Sequence, residues 1–253
     1  MNSRVVIGLI SVLACTGVWA QAQQAQPRSY AVLSRIGDSL NIVRHEPEVG
    51  SHLDRNERAS FPVSDASLDR QTLLVVDKAL KHADAQAQVS LLEQTPPTGG
   101  EVYAPLLDGD QFVPDEATLA SLRKTGATHL ILISKYRGEA LLKARHTEMG
   151  SGTLEGLGFY LDYRKKMRRA DTGEVGRGFI APYAYYRVSL IDLATLKVLK
   201  HHEVRAGKTV SVAHNEGGFD PWEALSGEQK LNMLLHFIRA ETPPAVAEVT
   251  QQL

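Results

Sequence analysis

The chain has a single cysteine, Cys15, in 253 residues. That scarcity excludes a disulfide-stapled fold and leaves stability to the core. Aromatic residues are only 6% of the chain and the formal net charge is −1. No global field therefore recruits nucleic acid. No helically spaced histidine pair of the zinc-protease kind occurs, and the glycine-rich stretch "GSGTLEGLG" lacks the lysine-serine pair of a phosphate loop. Neither a metal nor a cofactor is expected. What is present is ordinary for a globular chain: 43% hydrophobic and 23% charged residues, enough for one domain with a sizeable core.

The amino-terminal end is the exception. "MNSR" supplies a basic side chain, "VVIGLISVLA" is an apolar run, and Ala20–Gln21–Ala22 matches a small-x-small cleavage pattern, with "VWA" (Val18 to Ala20) as a second cut. The run is too short to span a membrane comfortably. Residues 1–22 read as a secretory signal peptide, 23–28 as a tether and 29–253 as a single α+β domain. The protein is then exported, periplasmic or outer-membrane-associated. "VLAC" resembles a lipobox, which makes a lipoprotein acylated at Cys15 the alternative.

Period and punctuation predict the elements. "SYAVLSRI" and "SLNIVRH" are β-rich runs around Gly37–Asp38, the signal for a hairpin turn. "ERASFPV" is a third strand, near an edge because of Pro62. "SLDRQTLLVVDKALKHA" is a helix with Leu73, Val76, Leu80 and Ala83 on one stripe. "AQVSLLEQ" follows as a strand. "DEATLASLRKTG" is a helix stopped by Gly126, and "THLILISKY" is a central strand. Residues 147–178 read as a glycine-rich basic loop or hairpin. Ala184, Tyr186, Val188 and Leu190 then alternate on one strand face, with a turn from Asp192 to Leu196 into a second strand. "KTVSV" reads as a further strand. Ser226 and Gln229 have capping-box spacing ahead of the stripe Leu231, Leu234, Leu235 and Ile238, and Pro243–Pro244 are expected to break this last helix. The order predicts a mixed β-sheet with helices packed on it.

"GDSL" (Gly37 to Leu40) is the tetrapeptide around the nucleophilic serine of GDSL hydrolases, and the chain resembles that family there alone. The family places an aspartate three residues before its catalytic histidine, and none of the nine histidines here has one at that offset. The run after Ser39, with Ile42 and Val43, favours a strand over the helix that motif launches. A GDSL-type esterase using Ser39 is the alternative function, and no catalytic residue is assigned.

The other constellation is "YRKKMRR". Tyr160, Tyr163, Arg164, Lys165, Lys166, Arg168 and Arg169 combine basic and aromatic character, which suits an envelope protein or an anionic envelope surface as partner. His201 and His202 are adjacent on a strand, so they point to opposite faces and share no ion. His45 and His52 flank a turn-like stretch. "FDPWEAL" places Phe219 and Trp222 as aromatic anchors before the last helix.

The hairpin "VSLIDLATLKVLKHHEV" and the step "GATHLILISKY" resemble a unit common in bacterial envelope α/β domains, such as the curli-export lipoprotein and the amino-terminal domain of the Tol-system propeller protein. Asp192 and Thr195 match the turn of those domains, and Leu196 stands where they carry glycine. The resemblance implies an envelope module that works by contact. The expected function is a non-enzymatic partner-binding module, with a small-ligand carrier as a further alternative.

Overall fold

The computed structural model describes residues 28–47, 54–97, 101–145, 147–168, 173, 175–211 and 220–251. In chain order the strands are β1 (Ser29–Arg35), β2 (Ser39–Arg44), β3 (Glu57–Pro62), β4 (Gln88–Leu92), β5 (Leu107–Asp108), β6 (Gln111–Phe112) and β7 (His129–Lys135). They continue as β8 (Arg137–Glu139), β9 (Leu142–Lys143), β10 (Glu148–Met149), β11 (Thr153–Arg168), β12 (Val175–Asp192), β13 (Lys197–Gly207) and β14 (Val210–Ser211). The helices are α1 (Ser67–Ala83), α2 (Glu116–Thr125) and α3 (Gly227–Thr250), with a 3-10 turn at Pro221–Ala224. The signal-peptide residues 1–22, with Cys15, lie outside the described residues, as do His52, Arg169 and Phe219.

The fold is α+β, a mixed sheet with helices packed on it. Strand β12 organises it. At 18 residues it is long enough for two strands to lie end to end along one edge. β11 pairs within Val175–Tyr185 and β7 with Tyr186–Asp192, both antiparallel. β13 occupies most of the other edge. Outside β7 and β11 lie β1 and β2, each parallel to its neighbour. β4 pairs with β1, and β3 with β2.

This pairing corrects the hairpin expected at Gly37–Asp38. β1 and β2 do not pair with each other, and since β7 and β11 both oppose β12, β1 and β2 run in the same direction. The chain steps across a break in the sheet without reversing. Gly37 is required for a different reason than turn geometry. It has no left-handed backbone, but a Cβ there would sit 2.9 Å from both Asp69 N and Leu68 Cβ at the start of α1. The step frees backbone donors from the ladder, and Asp69 takes them: its Oδ1 accepts from Ile36 N (3.0 Å), Gly37 N (3.1 Å) and Ser34 Oγ (2.6 Å).

The two faces of β12 build the core. Ala184, Tyr186, Val188 and Leu190 pack with α1 and α3, where Leu73, Val76, Leu80, Phe237 and Val246 meet them. On the opposite face Ile191 packs with Leu122 of α2, while Ala181, Tyr183 and Tyr185 pack with Ala140 and Leu142. Each large apolar side chain so buried contributes at most about 1.5–3 kcal/mol. The Trp222 ring meets Phe159 edge-on at 5.5 Å and lies under Lys230 Nζ at 3.6 Å, pinning the 3-10 turn to the sheet.

Local signals set the helix ends. Asp115 caps α2 by accepting from Thr118 N at 2.7 Å, and Gly126 closes it in the left-handed conformation at φ 64°. Ser226 and Gln229 form the capping box of α3. Pro243–Pro244 do not break that helix, contrary to expectation; both lie inside its 24 residues. The carbonyls they leave without partners, those of Arg239 and Ala240, belong to exposed residues that water can reach. Thr242, Ala245, Val246 and Val249 meanwhile hold the buried side, with Thr242 Oγ1 2.7 Å from the Tyr186 hydroxyl.

Candidate functional site

Ser39 sits at the sheet break and is 1% exposed. Its hydroxyl donates to Asp38 Oδ1 at 3.1 Å and accepts from Lys135 Nζ at 2.7 Å. Lys135 and Asp38 form an ion pair, and Asp38 Oδ2 accepts from Tyr103 N at 2.7 Å. Among the described residues no histidine bonds to Ser39. Burial leaves no face of the oxygen open to a substrate.

The residues of the basic cluster separate. β11 alternates, so Tyr160 and Tyr163 point to opposite faces. Tyr160 is buried against Phe179 and Val43, and its hydroxyl accepts from Ser151 N at 3.2 Å. Desolvation pushes that phenol above its ordinary pKa, which keeps it protonated. Tyr163 lies on the side of the 3-10 turn and donates to Asp220 Oδ1 at 3.1 Å. Arg164 is exposed and 4.0 Å from Glu46. Arg168 pairs through its backbone with Val175, and its side chain lies outside the described residues.

Lys165 and Lys166 are brought together. Adjacent residues of a regular strand face opposite ways, but the register of β11 against β12 shifts between Asp162 and Lys166. Asp162 stabilises the bulge by accepting from Arg164 N (2.7 Å) and Lys165 N (2.8 Å). Both lysines then line one groove of about 550 Å³. Arg145 completes its cationic side, the His45 ring adjoins it, and Met149, Met167 and Phe179 supply apolar surface. Glu148 and Asp162 are the carboxylates in its wall. His45 is tied in place, its Nδ1 2.9 Å from Ser151 Oγ. The chain reaches Ser151 through Gly150, whose φ is 119° and where a Cβ would sit 2.7 Å from the Ala140 carbonyl oxygen, which excludes a side chain.

Arg145, His45, Met149 and Ser151 were not assigned to a site from sequence. Only Asp162 carried a readable signal, since an aspartate that bonds to backbone N–H groups two and three residues on marks a turn or bulge. Among the described residues no group of three His, Cys, Asp or Glu side chains could hold a metal ion. None of the helices described is long and apolar enough to cross a membrane.

No family model matches the chain, and no curated protein matches it. Among solved structures, the chain is similar to a neuraminyllactose-binding hemagglutinin homolog from Helicobacter pylori at 7% identity, over 86% of each chain, with a TM-score of 0.36. It is also similar to the hypothetical protein CT253 from Chlamydia trachomatis at 10% identity, over 88% of this chain and 99% of that one, with a TM-score of 0.27. Likeness at these scores carries no argument about function.

Proposed function

We propose that this protein is an exported, non-enzymatic module of the cell envelope that binds a protein partner. The partner presents a short segment of acidic and apolar residues to the groove beside the β11 bulge. The observation that carries this is the convergence of Lys165 and Lys166 with Arg145 and His45 over an apolar floor. Among the described residues neither lysine has a carboxylate partner, so both are available to an incoming acid. Thioether side chains adapt to varied apolar groups, which suits Met149 and Met167 to a peptide floor. A concave groove meets a protruding segment better than a flat bilayer.

The Asp192–Thr195 turn supports the kinship with envelope domains. Asp192 accepts from Ala194 N (2.8 Å) and Thr195 Oγ1 (3.0 Å), and Leu196 adopts φ 57°, the conformation glycine adopts most easily. Against hydrolysis stands the closure of Ser39, whose hydroxyl is bonded on both sides within an ion pair. A nucleophile needs an approach path and donors for the oxyanion.

Because β11 is an interior strand, point variants test this better than deletion. Fluorescence anisotropy of a labelled peptide alternating Glu with Leu and Phe should show salt-sensitive binding. A Lys165→Glu/Lys166→Glu double variant should weaken it at least about tenfold (about 1.4 kcal/mol). Equal binding of the Gln-substituted peptide, or by the double variant, would refute the proposal.

A further inference from the structure

Strands β4, β1 and β7 form a parallel unit in the order β4-β1-β7. The chain passes from β1 through β2, β3 and α1 to β4, then crosses back through β5, β6 and α2 to β7. That reversal at β1 makes a switch point, and in open parallel sheets ligands bind in the crevice outside the carboxyl ends of such strands. A cavity of about 390 Å³ lies at those ends here, walled by Arg35 of β1 and Leu132, Ser134 and Lys135 of β7. The segment after β4 closes it with Tyr103, Pro105 and Leu106, and Arg187 of β12 forms the remaining polar side.

The cations of this cavity differ in what they have left to offer. Arg35 spends four of its five N–H groups on Gln94, the Ala104 carbonyl, Asp115 and Thr118, and it serves to hold the covering segment. Lys135 is committed to Asp38 and Ser39. Arg187 is not saturated. Its guanidinium lies 5.3 Å from the Tyr136 ring centroid and donates through NH2 to Glu203 at 3.1 Å, while NH1 has no partner among the described residues and the side chain keeps 30% of its surface exposed. Glu155 at the rim disfavours a ligand of high negative charge.

We propose that this cavity is a second site, independent of the groove, for a small organic monoanion with an apolar body. Its carboxylate accepts from the terminal NH1 of Arg187 and the Ser134 hydroxyl beside Lys135, and its body lies on Leu132, Leu106 and Pro105. The volume falls within the range of small-molecule pockets.

Isothermal titration and thermal melting with 4-phenylbutyrate, against its neutral amide, test the assignment on the full mature chain. The acid should bind, raise Tm with concentration and outcompete the amide at least tenfold. Ser134→Leu fills the cavity and should abolish binding, while Arg187→Met should weaken it at least tenfold. The Lys165→Glu/Lys166→Glu variant should bind 4-phenylbutyrate as wild type does, which separates this site from the groove. Absence of binding, equal binding of the amide, or full binding by Ser134→Leu would overturn the proposal. Should Arg187→Met fail to fold through loss of its Glu203 contact, the Ser134→Leu result decides alone.

Discussion

Replacing Asp69 by alanine should be among the most damaging single changes in the chain. One oxygen of this carboxylate accepts from Ile36 N, Gly37 N and Ser34 Oγ, and all three donors are in buried residues. Hydrogen bonds to a charged acceptor contribute about 1.5–3 kcal/mol each, so removing the acceptor exposes a gross loss of about 4.5–9 kcal/mol. The native carboxylate carries a cost of its own, since burial, with a smaller push from Asp38, raises its pKa above 3.8. Allowing for that relief and for water entering the vacated space, Asp69→Ala should cost about 4 kcal/mol. Asp69→Asn keeps an acceptor oxygen in place and should cost about 1 kcal/mol. Urea denaturation followed by Trp222 fluorescence would measure both. The pH dependence has a definite sign. Because the folded pKa lies above the unfolded one, protonation favours the native state, so Asp69 lowers stability as pH rises from 3.8 through the folded pKa. Wild type minus Asp69→Asn should therefore fall across that interval and flatten above it. Equal stabilities for the alanine and asparagine variants would refute the claim that Asp69 bridges the break between β1 and β2.

Tyr183 carries a buried hydroxyl without a partner, so Tyr183→Phe should raise stability by up to about 1 kcal/mol in the same urea assay. Trp222→Ala, unfolded in urea and followed by far-UV circular dichroism because the variant removes the fluorescent reporter, should cost about 2–3 kcal/mol, because the half-buried ring packs on Phe159 and under Lys230. Ser39→Ala should cost about 1 kcal/mol through the lost link between Asp38 and Lys135, and a fluorophosphonate probe should leave wild type unlabelled. Labelling that disappears in Ser39→Ala would establish a serine hydrolase instead.

Where one short segment decides an outcome, the sequence was legible. Helix α1 spans the residues its apolar stripe marks, and α2 and α3 start at the side chains that cap them. The turn at Asp192 was readable because aspartate and threonine organise it locally. Outcomes decided at long range were not. Gly37–Asp38 carries a hairpin signal, but the direction of the chain there is set by strands β7 and β11 and by Asp69, more than thirty residues on (33 for Ile36). Two consecutive prolines predict a helix end, yet buried contacts on the far side of α3 hold the backbone through them. The groove was half visible. Lys165 and Lys166 stood out as charge, but the bulge that aligns them and the remote Arg145 and His45 beside them depend on the folded register.

The most direct test of the proposed groove is chemical-shift mapping on isotope-labelled protein titrated with the Glu-Leu-Phe peptide. Shifts concentrated at His45, Arg145, Ser151 and Lys165 to Met167 are the expected result. Shifts centred elsewhere on the sheet, or none at saturating peptide, would contradict the groove as the site of recognition.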